Sequence, residues 1–149
     1  MNVFARWRSW APWLLSLSRI IVGFLFMQIG TGKLWGFPAA IMPGGALAQF
    51  GTQTWWAAVL EAFGGGLILL GLLTRPVAFL LSGEMAFAYF IGHAPNGFWT
   101  VLNQGTPAVV LCFVFFYLSA AGPGPWSVDR VLVGRSATSP GKAVGRGDR

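Results

Sequence analysis

The chain has 149 residues, 55% of them hydrophobic and only 9% charged, with a mean hydropathy of +0.64. A water-facing domain carries about a quarter charged residues, so the composition excludes an ordinary soluble domain and points to a membrane protein. Ten Lys and Arg against four Asp and Glu give a net charge of +6. Those cations sit at the chain ends and in one turn, not on an exposed face, which excludes a nucleic-acid-binding surface. The single cysteine, Cys112, excludes an internal disulfide, a dithiol redox pair and a multi-thiolate metal site.

The first apolar segment, 13–35, follows several arginines, as the core of a signal peptide does. Arg19 breaks the run and no small-x-small cleavage site follows, so the segment is predicted to be a retained first span. The second and third segments, 55–73 and 76–93, approach the ~20 residues that a spanning helix requires. Arg75-Pro76 between them predicts a tight turn and an antiparallel hairpin. The fourth segment, 107–121, is short, so the polar loop before it (Asn103, Gln104, Thr106) is expected to dip below the membrane surface. Thr106 ahead of Pro107 is expected to act as a capping hydroxyl. The predicted fold class is all-α: an antiparallel four-transmembrane-helix bundle over residues 1–133, with a disordered basic tail, "GRSATSPGKAVGRGDR", over 134–149.

Basic flanks resist translocation. With both termini cytoplasmic, the inner side receives Arg6, Arg8, Arg75, Arg130, Arg135, Lys142, Arg146 and Arg149, while the outer connections, 36–54 and 94–105, carry no charge. Trp7, Trp10, Trp13 and Trp126 then mark the inner interface, and Trp35, Trp55, Trp56 and Trp99 the outer one.

Four ionisable residues remain within or at the edge of the spans: Arg19, Lys33, Glu61 and Glu84. Each centrally placed charge costs roughly 2.5–3.5 kcal/mol, so such groups face the bundle interior and pair. Counted at ~1.5 Å per residue from the predicted inner ends, Arg19 and Glu84 lie about 9 and 12 Å deep. Glu61 lies about 9 Å below the outer end of its helix, with Lys33 near the outer end of the first. Two pairs are expected, Arg19–Glu84 and Lys33–Glu61. Gly23, Phe26 and Gly30 share the Arg19–Lys33 stripe, and Gly64 and Gly65 thin the second helix, so these glycines are expected to let helices approach closely. The charge pairs either fix helix rotation or form a binding site. His93 cannot share a face with Glu84 if its helix stays regular. One His and one Cys cannot assemble a zinc or bis-histidine haem site, so no metal is expected.

The segments "RIIVGFLFMQIGTGKL", "EAFGGGLILLGLLTRPVAFLLSGEMAFAYFIGHAP" and "GPGPWSVDRVL" resemble the DoxX family of small four-helix bacterial membrane proteins. The resemblance covers nearly the whole chain apart from its ends. Family members often carry Asn-x-Gly-Glu before the fourth helix; "NQGTP" stands here, with Thr106 in place of the acid. The resemblance implies a bacterial inner-membrane protein tied to redox complexes, such as the membrane part of a thiosulfate:quinone oxidoreductase. The chain offers no bound-metal or thiol chemistry of its own, so no intrinsic cofactor is expected and a redox role requires a membrane quinone or a partner subunit.

Three functions are open on this reading. The first is a quinone-interacting subunit, with Lys33, Glu61, His93, Phe26 and Phe87 around the ligand in a pocket between helices 1, 2 and 3. The second is a non-catalytic anchor or assembly factor whose uncharged outer loops hold a protein partner. The third is a proton or small-solute pathway, which needs a homo-oligomer because four short helices leave little room for a pore.

Overall fold

The computed structural model describes residues 3–137, and among them the chain forms six α-helices and no strand. Helix α1 (Val3–Trp35) starts well before residue 13 and carries Pro12 in its interior. It stops at Gly36, whose φ of +68° is the left-handed conformation that ends helices. Thr52 caps α2 (Gln53–Val59) by accepting a hydrogen bond from the Trp55 amide at 3.2 Å. That helix continues through a π-helical turn (Leu60–Gly64) into α3 (Gly65–Leu70). Gly71 and Leu73 are both left-handed, with φ of 69° and 51°, and α4 (Thr74–Ala88) begins at once. The tight turn therefore lies at 71–73, and Pro76 falls in the first turn of α4, where a missing N–H leaves no helical bond unmade.

Helix α4 passes into a second π-helical turn (Tyr89–His93) and a short 3-10 turn (Ala94–Asn96). Helix α5 (Thr106–Ala121) follows, and α6 (Val128–Ala137) closes the described chain. The expected cap at Thr106 is not made: Gly105 is the capping residue and Thr106 is already helical. Asn103 takes over locally, its side-chain oxygen accepting from the Gly105 amide at 2.8 Å. The expected tail enters α6 as far as Ala137, and the rest of it lies outside the described residues.

Packing divides the helices into two antiparallel pairs. One face of α1 runs along α2, the π turn and α3, while α4 lies against α5; contacts of α4 with the π turn and α3 join the pairs. Glycine sets the closeness of the first pair. A Cβ on Gly23 would stand 2.5 Å from the Leu69 amide nitrogen, one on Gly65 2.5 Å from that of Met27, and one on Gly30 would collide with the backbone of Ala58 and Ala62. Gly64 points the other way, toward Leu81 of α4. Phe26, Ile68, Leu81, Met85, Phe115 and Leu118 fill the centre, with Phe26 edge-on to Phe115 at 4.9 Å between ring centroids.

The burial pattern is the reverse of a water-soluble bundle. Ser16, Arg19, Glu61, Thr74, Ser82, Asn103 and Ser127 are buried, while Phe24, Leu25, Phe79, Phe90, Phe113 and Phe116 are exposed. Such an apolar surface is stable only in an apolar solvent. Two helical stretches, Trp7–Trp35 and Thr74–Asn96, are long and apolar enough to cross a membrane; Thr106–Ala121 is apolar but shorter.

Because backbone rather than flexible side chain faces Gly65, Gly65→Ala is expected to push α1 and α3 apart and destabilise the protein by about 1–3 kcal/mol. Gly92→Ala, with nothing within 4 Å of the new methyl group, is expected to leave stability unchanged. Thermal unfolding in detergent compares the two.

Candidate functional site

Among the described residues the buried cation Arg19 forms no ion pair with a carboxylate, Asp129 acting on it only through space. Its Nε donates to the Pro123 carbonyl at 2.8 Å and its Nη1 to that of Leu69 at 2.7 Å, with further bonds from Nη1 to Ile68 and from Nη2 to Trp126. Helix α3 ends beside it, and the carbonyls left over at a helix C-terminus carry partial negative charge. The expected Arg19–Glu84 pair is therefore not formed. Arg19 stands at the level of Leu69, next to the 71–73 turn, whereas Glu84 lies ten residues along α4, about 15 Å up the axis. Counting depth from residue 13 put Arg19 too far into the bundle.

Glu84 belongs instead with the other two ionisable residues. Lys33 Nζ and Glu61 Oε1 form an ion pair at 2.6 Å, with Glu61 almost fully buried and Lys33 partly so. Glu84 lies within electrostatic reach of both. Three elements thus bring one cation and two carboxylates to one level: α1, the π turn after α2, and α4. The π turn inserts a residue into the helical repeat, and such insertions recur at functional sites. It places Glu61 against α1 while Gly64 in the same turn meets α4. Both Glu84 oxygens and Glu61 Oε2 are buried without a hydrogen-bond partner among the described residues. Unpaired buried acceptors are costly, so the trio has room for a donated hydrogen.

Glu84 is also part of the wall of a groove of about 470 Å³ between α2 and α4. Trp56, Ala57, Leu60, Leu80 and Phe87 make the groove apolar, and Gln53 adds a second polar side chain. Gly83 keeps it open, since nothing lies within 4 Å of the place a Cβ would take. Of the ligand contacts expected from sequence, Phe87 lines this groove, and Lys33 and Glu61 are linked to it through Glu84. Phe26 does not: it is fully buried against Phe115. His93 does not either. Its Nδ1 lies 2.9 Å from the Asn103 carbonyl oxygen, and the Asn103 amide donates to the Gly97 carbonyl at 2.7 Å, so the ring closes the 94–105 connection. The groove lies between the second and third predicted spans, here α2 and α4, and lacks the first helix, which the expected pocket between helices 1, 2 and 3 included.

Sequence reasoning missed Gln53, Trp56 and Gly83, because neither phase nor charge distinguishes one apolar helix face from another. It also missed the structural role of Asp129, whose carboxylate accepts hydrogen bonds from the Leu73 and Thr74 amides at 2.8 and 3.0 Å and so caps α4 from 55 residues away. As one of four acids, standing among arginines, it carried a signal that was available. No cluster of three His, Cys, Asp or Glu side chains suited to a metal ion occurs among the described residues.

An all-helical fold with polar residues inside, apolar residues outside and charged groups facing one another across helices defines an integral membrane protein. The DoxX family model matches residues 14–94, and the chain belongs to the DoxX family. It is 37% identical over 132 residues to an uncharacterized protein of Haemophilus influenzae, covering 87% of this chain and 96% of the relative. Inner membrane protein YqjF of Escherichia coli is 31% identical over 117 residues, covering 78% and 89%. Uncharacterized membrane protein Rv3486 of Mycobacterium tuberculosis is 31% identical over 135 residues, covering 79% and 80%. No solved structure matches the chain.

Removing one member of the Lys33–Glu61 pair strands the other. Lys33→Met is expected to cost about 3–5 kcal/mol, and adding Glu61→Leu to recover much of it. Unfolding of both single variants and the double variant gives the coupling; losses that simply add would show that the pair contributes nothing.

Proposed function

We propose that the chain is a quinone-binding membrane subunit of a redox complex, with the groove between α2 and α4 as its ligand site. The observation that supports this reading is Glu84, which lines a mainly apolar groove and whose two carboxylate oxygens are buried without a hydrogen-bond partner among the described residues. The groove's volume falls within the roughly 300–1,000 Å³ of small-molecule sites. Trp56 and Phe87 offer flat apolar surface to a ring, Leu60 and Leu80 suit an isoprenoid chain, and Glu84 and Gln53 offer polar contacts. Bound there, a quinone would supply two-electron carrying capacity, with the electrons coming from a cofactor of a partner protein.

The chain's own part is to hold and orient. Glu84 accepts a hydrogen bond from a hydroxyl, or takes a proton, at its carboxylate. The Lys33–Glu61 pair behind it sets the field at that carboxylate, and the apolar walls keep water out. The topology that suits this role has four spans, with both termini on the cytoplasmic side of a bacterial inner membrane. In its favour, the bond from the Trp126 amide to Ser16 Oγ and the bonds of Arg19 join the middle of α1, the end of α3 and the 122–127 loop at one end. The arginines Arg8, Arg75 and Arg130 belong to that end, and the uncharged connections to the other. A second reading, an anchor for a partner protein, draws on the exposed side chains of Phe98, Trp99, Val101 and Leu102 in the 94–105 connection.

Mass spectrometry of lipids extracted from the purified protein tests the proposal. Wild type is expected to carry near-stoichiometric quinone, and Glu84→Gln several-fold less. Gly83→Leu, which fills open space and improves helix propensity by about 0.8–1 kcal/mol, is expected to stay folded and lose at least tenfold. Quinone absent from folded wild type, or equal in all three, would discard the groove as a quinone site and leave the anchor reading, to be pursued by crosslinking through the 94–105 connection.

A further inference from the structure

The arginine end of the bundle holds a second concavity, remote from the carboxylate groove. It has a volume of about 660 Å³ and lies between the start of α4 and α6, walled by Leu73, Thr74, Arg75, Asp129, Arg130 and Val133 among others. Its charges are not equally engaged. Arg75 gives Nη1 to the Ser119 and Ala120 carbonyls at 3.2 and 2.5 Å, and its Nε and Nη2 make no hydrogen bond with the described residues. The Arg130 side chain is exposed and has no hydrogen-bond partner among them. Asp129, by contrast, has one oxygen on the Leu73 amide and the other on the Thr74 amide. Its charge therefore serves the helix start, and the Arg130 guanidinium and two nitrogens of Arg75 remain for something else.

Two further features narrow what that is. Thr74 is fully buried, yet its hydroxyl has no hydrogen-bond partner among the described residues. Leu73, Pro76 and Val133 give the same groove an apolar side. Trp13 and Trp126, 5.3 Å apart between ring centroids, stand at this end of the bundle, and paired tryptophans mark the depth of lipid head groups. We propose that this groove binds the phosphodiester of an anionic phospholipid. The phosphate sits between Arg75 and Arg130 within reach of the Thr74 hydroxyl, and acyl chain lies against Leu73 and Val133. Guanidinium forks match phosphate oxygens, and basic recesses between membrane helices suit lipid head groups. A free phosphate ion has the same charge chemistry but no use for the apolar side, which a lipid would cover.

Native mass spectrometry of the full chain, released from micelles containing equal phosphatidylglycerol and phosphatidylcholine, tests this. Wild type is expected to retain phosphatidylglycerol at least fivefold over phosphatidylcholine. Arg130→Gln is expected to lower that retention about fivefold, the loss that one arginine near an anionic surface brings. Arg8→Gln removes the same charge from α1, outside the groove, and is expected to leave retention unchanged. Equal retention of the two lipids, or equal loss in both variants, would overturn the proposal in favour of diffuse attraction. Release of phosphatidylglycerol by millimolar inorganic phosphate at constant ionic strength would overturn it in favour of a free-phosphate site.

Discussion

The guanidinium of Arg19 draws the bundle together at one end. It is fully buried, and it reaches backbone carbonyls at the close of α3 and in the loop between α5 and α6. Only arginine has five donors in a fixed planar fork and a charge that persists when desolvated. Ile68 also receives the Gly71 amide, but without Arg19 the Leu69, Pro123 and Trp126 carbonyls would lose this donor in an apolar surrounding. One side chain thus removes several penalties at once and fixes α1 relative to both α3 and the 122–127 loop. Gly71 is part of the same arrangement: a Cβ there would stand 2.9 Å from the guanidinium carbon.

From that fixed end, the glycines of α1 and α3 carry the register upward. Gly23 meets Leu69, Gly65 meets Met27 and Gly30 meets Ala62, so the two backbones stay in contact for most of the length of α3 and the π turn. Lys33 reaches Glu61 because that register holds. Glu84 arrives from the other pair of helices, held by packing of α4 on α5 and by the Ser82 hydroxyl, which donates to the Cys112 carbonyl at 2.9 Å. The carboxylate groove sits where the two rigid pairs meet. Its walls belong to both of them, so movement of one pair against the other changes its width.

Much of this was legible in the sequence. Helical rise and phase are properties of any α-helix, so the Arg19–Lys33 stripe, its glycines and the reach of Lys33 to Glu61 followed from spacing alone. The partners of Arg19 did not. Backbone carbonyls have no sequence signature, and a search for the nearest opposite charge leads to Glu84 whenever the end of the bundle is taken to coincide with the start of a helix, because α1 runs on past that end. Phe26 was misplaced for a related reason: it shares the charged stripe, but at its level that stripe faces Phe115 rather than a ligand. The π turns left no trace in residue type, and the groove depends on what is missing at Gly83.

The capping of α4 by Asp129 bears on how the chain is made. The left-handed Leu73 and the first amides of α4 are held by a residue synthesised long after them, and the Asp129 amide itself donates to the Gly71 carbonyl at 3.0 Å. Arg19 is in the same position, since the Pro123 and Trp126 carbonyls lie 104 and 107 residues downstream. Chains emerge N-terminus first, so α1, α3 and α4 are made before the residues that fasten their shared end. The 122–127 loop and Asp129 then close it as the last apolar helix is delivered. A nascent chain stalled before that loop would carry a buried arginine with half its acceptors and a helix start without its cap, a state that quality-control proteases can distinguish from the finished protein.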